Sequence, residues 1–115
     1  MYTKISFFCA LLIHSAAAFS ADISLVKSSN ESKFNSIQIN GTIVPGDANK
    51  VKTLVAKSNS LGILINSRGG DVLEAIKIAN IVEQYRQPVK VAGSGFCVSA
   101  CFFIILQVMV KVPPQ

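Results

Sequence analysis

A chain of 115 residues has room for one small domain and no more. Half of its residues are hydrophobic and 15% are charged, which excludes a disordered chain. The net charge of +5 would suit an anionic partner, but Lys27, Lys33, Lys50, Lys52, Lys57, Lys77 and Lys90 are scattered with little aromatic interleaving. That pattern argues against nucleic-acid binding and for a solvated basic surface.

Met1 to about Ser20 has the layout of a secretory signal peptide: Lys4, an apolar run from Ile5 to Ile13, then Ser15, Ala16, Ala17 and Ala18. Small residues at alternate positions allow cleavage after Ala18 or after Ser20. The expected division is a leader over 1–20 and one domain over 21–115. The apolar run is short for a membrane span, so no stable span is expected once the leader is removed. His14, the sole histidine, and Cys9 leave with that leader.

Ile23 to Val26 forms a possible strand, and Ser28 to Asn35 is polar and turn-like. Ser36 to Ile43 alternates apolar and polar, as a half-buried strand does. Pro45-Gly46-Asp47 is a turn in which Asp47 can cap the following helix. On that helix Val51, Leu54 and Val55 are expected to face inward, with Lys50, Lys52 and Lys57 mainly outward. A third strand, Ile63-Leu64-Ile65, ends in Asn66-Ser67-Arg68-Gly69-Gly70, and a helix opens at Asp71. Its apolar residues recur at helical spacing: Val72, Ala75, Ile76, Ala79 and Val82. Glu74 and Glu83 read as solvent-facing charges. Pro88 stops the helix, and Val89 to Ala92 resumes as a strand. The turn Gly93-Ser94-Gly95 then leads to Phe96-Cys97-Val98-Ser99-Ala100-Cys101 and an apolar helix through Leu106.

Two parallel strands with right-handed crossovers place Gly70 and Ser99 at one carboxyl edge of a sheet, where open α/β sheets hold their ligands. That edge is the candidate site.

Asn66-Ser67-Arg68-Gly69-Gly70-Asp71-Val72 followed by Cys97-Val98-Ser99-Ala100-Cys101 resembles the Clp-type serine peptidases. More closely it is similar to their secreted bacterial relatives, periplasmic proteins of the Clp/crotonase superfamily. The likeness runs from Ile37 to Leu106. It implies an α/β fold of ββα repeats, with a small, mostly parallel sheet flanked by helices, in the periplasm. It further implies a peptide or acyl substrate, with Ser99 as nucleophile and the N–H groups of Gly70 and Ala100 as oxyanion donors. One such donor contributes roughly 3 kcal/mol of transition-state stabilisation. The local alternative is that Ser99 caps the last helix and the two glycines merely turn the chain.

Arg68 stands where the family often carries proline; it can hold a substrate carboxylate or be a solvated loop residue. Cys97 and Cys101 bracket Ser99, and no third cysteine or histidine follows the leader, so neither a zinc site nor another cofactor is expected. In an oxidising compartment the two thiols are expected to form a disulfide, the i, i+4 spacing giving a Cα separation of about 6 Å. Buried, unlinked thiols are the alternative.

What the sequence withholds is a base. Without a histidine after the leader, a Ser-His-Asp arrangement cannot be assembled from the mature chain. Lys111 lies roughly 18 Å beyond Ser99 on a continuing helix, Lys90 sits at the other strand end, and Lys77 faces solvent. After Leu106, β-branched residues and two prolines replace the family's pattern, as expected of a C-terminally truncated chain. Two functions remain in view: an incomplete serine peptidase relative, or a non-catalytic exported binding or assembly module, either one a possible homo-oligomer.

Overall fold

Isoleucine at alternate positions sets the sheet. In the computed structural model, which describes residues 20–27, 35–58 and 60–109, the strands are β1 (Asp22–Lys27), β2 (Asn35–Asn40), β3 (Ser60–Asn66) and β4 (Val89–Val91). They lie side by side in chain order, β1 antiparallel to β2 and the remaining neighbours parallel. Ile37 of β2 is in register with Ile63 of β3, and Ile39 with Ile65. All four are fully or almost fully buried, each contributing about 1.5–3 kcal/mol relative to exposure. Gln38 and Leu64, the alternate residues, are half-buried on the opposite face. The expected signal peptide and Lys111 fall outside the described residues, except that Ser20 forms a single bridge with Thr42.

Parallel neighbours need crossover connections, and helices supply them. Helix α1 (Asp47–Lys57) joins β2 to β3, α2 (Val72–Gln84) joins β3 to β4, and a short 3₁₀ turn at Ser99–Cys101 leads into α3 (Phe102–Met109). The chain is thus an α/β unit with a mixed, mostly parallel four-stranded sheet. Val51 and Val55 of α1 join the core as the sequence pattern implies, while Leu54 is half-buried.

Helix α2 departs from the simple periodic reading. Its buried apolar residues are Ala75, Ile78, Ala79, Ile81 and Val82, whereas Val72 and Ile76 are 47% and 39% exposed. The buried stripe is rotated because the helix packs on both α1 and α3 as well as the core. Asp71 does cap this helix, its Oδ1 accepting from the Glu74 N–H at 2.8 Å.

Glu74 is a correction: it is 4% exposed rather than solvent-facing. Its Oε1 accepts from the N–H groups of Gly46 (3.0 Å) and Ala48 (2.9 Å), and Lys77 Nζ lies 3.6 Å from Oε2. A carboxylate from α2 therefore supplies the acceptor that the first turn of α1 lacks, at the end where the helix dipole favours negative charge. Asp47 is corrected in the same way. Gly46 is the N-cap residue of α1 and no side chain of α1's own start caps it; Asp47, fully buried, instead accepts from the Val44 N–H at 2.9 Å.

Among the described residues no helix is long and apolar enough to cross a membrane.

Candidate functional site

The ends of β3 and β4 run on as two adjacent loops. Ser67 N–H donates to the Phe96 carbonyl at 2.7 Å, and Val98 N–H donates back to the Ser67 carbonyl at 3.2 Å. These bonds lay the segment before Ser99 alongside the one before the two glycines. Asn66 reinforces the join: its Oδ1 accepts from the Phe96 N–H at 3.0 Å, while its Nδ2 donates to Asn40 Oδ1 at 3.1 Å. One side chain thereby ties three loop segments together.

Gly69 and Gly70 fill different roles, and both need to be glycine. Gly69 is buried at φ +101°, and a methyl group there would stand 2.9 Å from both Ala100 N and Ser99 Cβ. The backbone of the first loop is therefore in direct contact with the start of the 3₁₀ turn. Gly70 is exposed at φ +134°, and a Cβ there would overlap the Ile43 carbonyl oxygen. On that side Ile43 N–H donates to the Gly69 carbonyl at 2.8 Å, and Asp71 N–H donates to the Ile43 carbonyl at 2.9 Å. The Gly70 N–H takes no part in either bond. Ser67 is buried and closes the turn from within, its Oγ accepting from the Gly69 N–H at 3.1 Å.

Ser99 is exposed at the first position of the 3₁₀ turn, and its φ of +55° puts it in the left-handed region. For a residue with a Cβ that conformation costs of order 1–3 kcal/mol and persists only where the surroundings enforce it. Here Val98 is pinned to Ser67, and Cys101 N–H donates to the Val98 carbonyl at 3.2 Å. Cys97 and Cys101 add a covalent clamp: their sulfurs are at bonding distance and their Cα atoms 5.2 Å apart. A serine held this way, on a sharp strand-to-helix turn with its hydroxyl in the open, has the geometry of a nucleophile elbow. The Ala100 N–H lies in the first turn, where helical N–H groups lack an acceptor on their own helix.

The structure thus brings Gly70, Ser99 and Ala100 to one edge, with Gly69 as the contact between the loops. Gly69, Asn66 and Ser67 carry weight that the sequence reading did not assign them. The doubled glycine and the polar residues that end β3 were the available signals, but neither says which backbone approaches which. Among the described residues Ser99 Oγ makes no hydrogen bond and there is no histidine. Lys77 is engaged with Glu74, and Lys90 is exposed on β4, in register with Leu64 of β3. Within the same residues no three His, Cys, Asp or Glu side chains stand together as a metal site.

Beside the loops runs an open groove of about 250 Å³, lined by Asn40, Gly41, Thr42, Arg68 and Phe96 among others. Arg68 is exposed above it, its guanidinium carbon 5.5 Å from the centre of the Phe96 ring.

A family model described as Clp protease matches residues 29–110, which takes in every element from β2 to α3. No curated protein and no solved structure matches the chain.

Proposed function

The chain belongs to the Clp protease family, and from that premise we propose that it is an exported serine peptidase relative that acts on peptide or other acyl bonds through Ser99. Ser99 Oγ attacks the carbonyl carbon, its proton passes to a base, and the carbonyl oxygen becomes an oxyanion facing the N–H groups of Gly70 and Ala100. The observation that carries this reading is the left-handed Ser99 at the start of a helical turn, in contact with Gly69, the first residue of the double glycine. A merely structural helix start gives no reason to hold a serine in that conformation.

The base comes from outside the described residues, from another part of the polypeptide or from a neighbouring subunit. Members of the family are oligomeric, and the exposed Leu73, Ile76, Phe102 and Phe103 would be covered by a second copy. Export is supported by the Lys4-to-Ala18 pattern and by the Cys97–Cys101 clamp, since a disulfide persists in an oxidising compartment such as the periplasm.

The absence of a histidine from the described residues favours a second reading, a non-catalytic exported binding or assembly module on the same fold. A fluorophosphonate probe separates the two. Labelling that maps to Ser99 and vanishes in Ser99→Ala supports the peptidase reading, because only an activated hydroxyl reacts. Labelling no higher than in Ser99→Ala favours the binding module. On fluorogenic peptides and esters the isolated chain is expected to retain only the residual rate of sites that have lost triad members, about 10³- to 10⁴-fold over water. Robust turnover that disappears in Ser99→Ala would instead imply a working base supplied by another subunit.

A further inference from the structure

Arg68 is a charged side chain next to the reacting loop that the chemistry above does not use. Among the described residues it forms no ion pair and no hydrogen bond, although it stacks on Phe96. The nearest carboxylates along the chain are engaged elsewhere. Asp71 caps α2, and Glu74 holds the N-terminus of α1 together with Lys77. A guanidinium lying on a ring keeps its N–H edges turned outward and loses little further freedom on binding.

The groove under Arg68 is rich in donors. Asn40 Oδ1 is taken by Asn66 Nδ2, which leaves the Asn40 amide NH₂ to donate. Thr42 is exposed at the groove wall and offers a hydroxyl. No carboxylate lines the groove. One permanent cation with neutral donors around it and no competing anion selects a planar anionic group, and a guanidinium binds a carboxylate in the bidentate mode. Position adds direction, because Arg68 immediately precedes Gly69, whose backbone touches Ser99 and Ala100. A ligand with a group at Ser99 and an extended remainder reaches Arg68 within a short stretch of chain.

We propose that Arg68, stacked on Phe96 above the Asn40–Thr42 groove, forms a carboxylate-binding subsite that makes this site prefer acidic peptides. The placement of the ligand rests on the reading of Ser99 as the acyl site, but the subsite itself is read out by binding alone. The carboxylate belongs either to an Asp or Glu side chain or to a peptide C-terminus, and two arms of one experiment tell them apart.

The full chain is titrated by fluorescence anisotropy against labelled pentapeptide pools. One pair of pools differs only in Glu against Gln at an internal position; the other differs only in a free against an amidated C-terminus. The acidic member of one pair is expected to bind about five-fold tighter, the range of a solvent-exposed charge pair, and the advantage should shrink as salt is raised. Arg68→Gln removes that advantage and Arg68→Lys keeps part of it. Arg68 is exposed and its side chain forms no hydrogen bond or ion pair among the described residues, so circular dichroism should show both variants folded.

Equal binding within both pairs, no binding at all, or a preference that survives Arg68→Gln overturns the subsite. Turnover at Ser99 that ignores peptide charge would also overturn it while leaving the peptidase reading standing. An acid preference that needs Arg68, without probe labelling of Ser99, would establish the subsite and defeat the peptidase reading instead.

Discussion

Two segments meet at the candidate site and are held in opposite ways. The β3–α2 junction, Asn66 to Asp71, is locked from both sides. Ile43 bonds to it on one flank and Phe96 to Val98 on the other, while Ser67 and Gly69 are buried. The segment from Cys97 to Met109 buries Ala100, Cys101 and Ile104 and leaves Phe102 and Phe103 51% and 42% exposed. The first is a rigid cradle fixed by backbone contacts. The second carries the candidate nucleophile on a turn secured by one disulfide and by two backbone bonds at Val98. The contrast teaches that the double-glycine side is preorganised by the sheet, whereas the serine side depends on a local clamp and on whatever covers α3.

Gly70→Ala tests the rigid side most severely. The added methyl meets the Ile43 carbonyl oxygen in a conformation that L-residues rarely adopt. Loss of roughly 3 kcal/mol or more is expected, because the obstructing atoms are Ile43 backbone, itself hydrogen-bonded to Gly69 and Asp71. Urea unfolding should register it as a lower midpoint, and an unchanged midpoint would mean that the cradle is softer than its bonding suggests.

Glu74→Ala should rank next. It strips Gly46 and Ala48 of their shared acceptor and leaves the Ala48 N–H buried without one, at a cost of about 1–3 kcal/mol. Glu74→Gln retains an acceptor oxygen and should cost less. If both variants unfold together with wild type, the α2–α1 contact is not a stabilising one.

On the clamped side, non-reducing peptide mapping of protein produced in an oxidising compartment should find Cys97 linked to Cys101. Replacing both by serine should cost at most about 2 kcal/mol, since closing so short a loop removes little unfolded-state entropy. Its larger consequence should be in Ser99 reactivity, as nothing covalent then holds the turn. Two alkylatable thiols in that material would remove the clamp from the account.

The smallest expected effect on stability is Phe103→Ser, within about 0.5 kcal/mol for a side chain already 42% exposed. Its readout is association: wild type should elute larger than the variant at equal concentration, because the variant breaks an apolar surface that Phe103 shares with Ile76 and Leu106. Identical elution would show that α3 is not a contact surface.

Much of this molecule was legible in the amino-acid order. The alternation of Ile37 with Ile39 and of Ile63 with Ile65, the glycine loop, the stop at Pro88 and the Asp71 cap are local signals. Each follows from side-chain period or from the φ a residue permits, so strands, crossovers and the shared edge of Gly70 and Ser99 could be placed without coordinates. Three features required the tertiary structure. Glu74 carries nothing in its own neighbourhood to mark it as buried; it is buried because the N-terminus of α1 arrives from 28 residues away in sequence with N–H groups to satisfy. Val72 and Ile76 fit the helical period yet stay exposed, because period fixes a stripe while neighbouring helices choose which edge of it is covered. Gly69 touches Ser99 because the bonds from Ser67 to Phe96 and Val98 set the two loops at one height. Local chemistry chose the elements, and long-range pairing decided which atoms of those elements face one another.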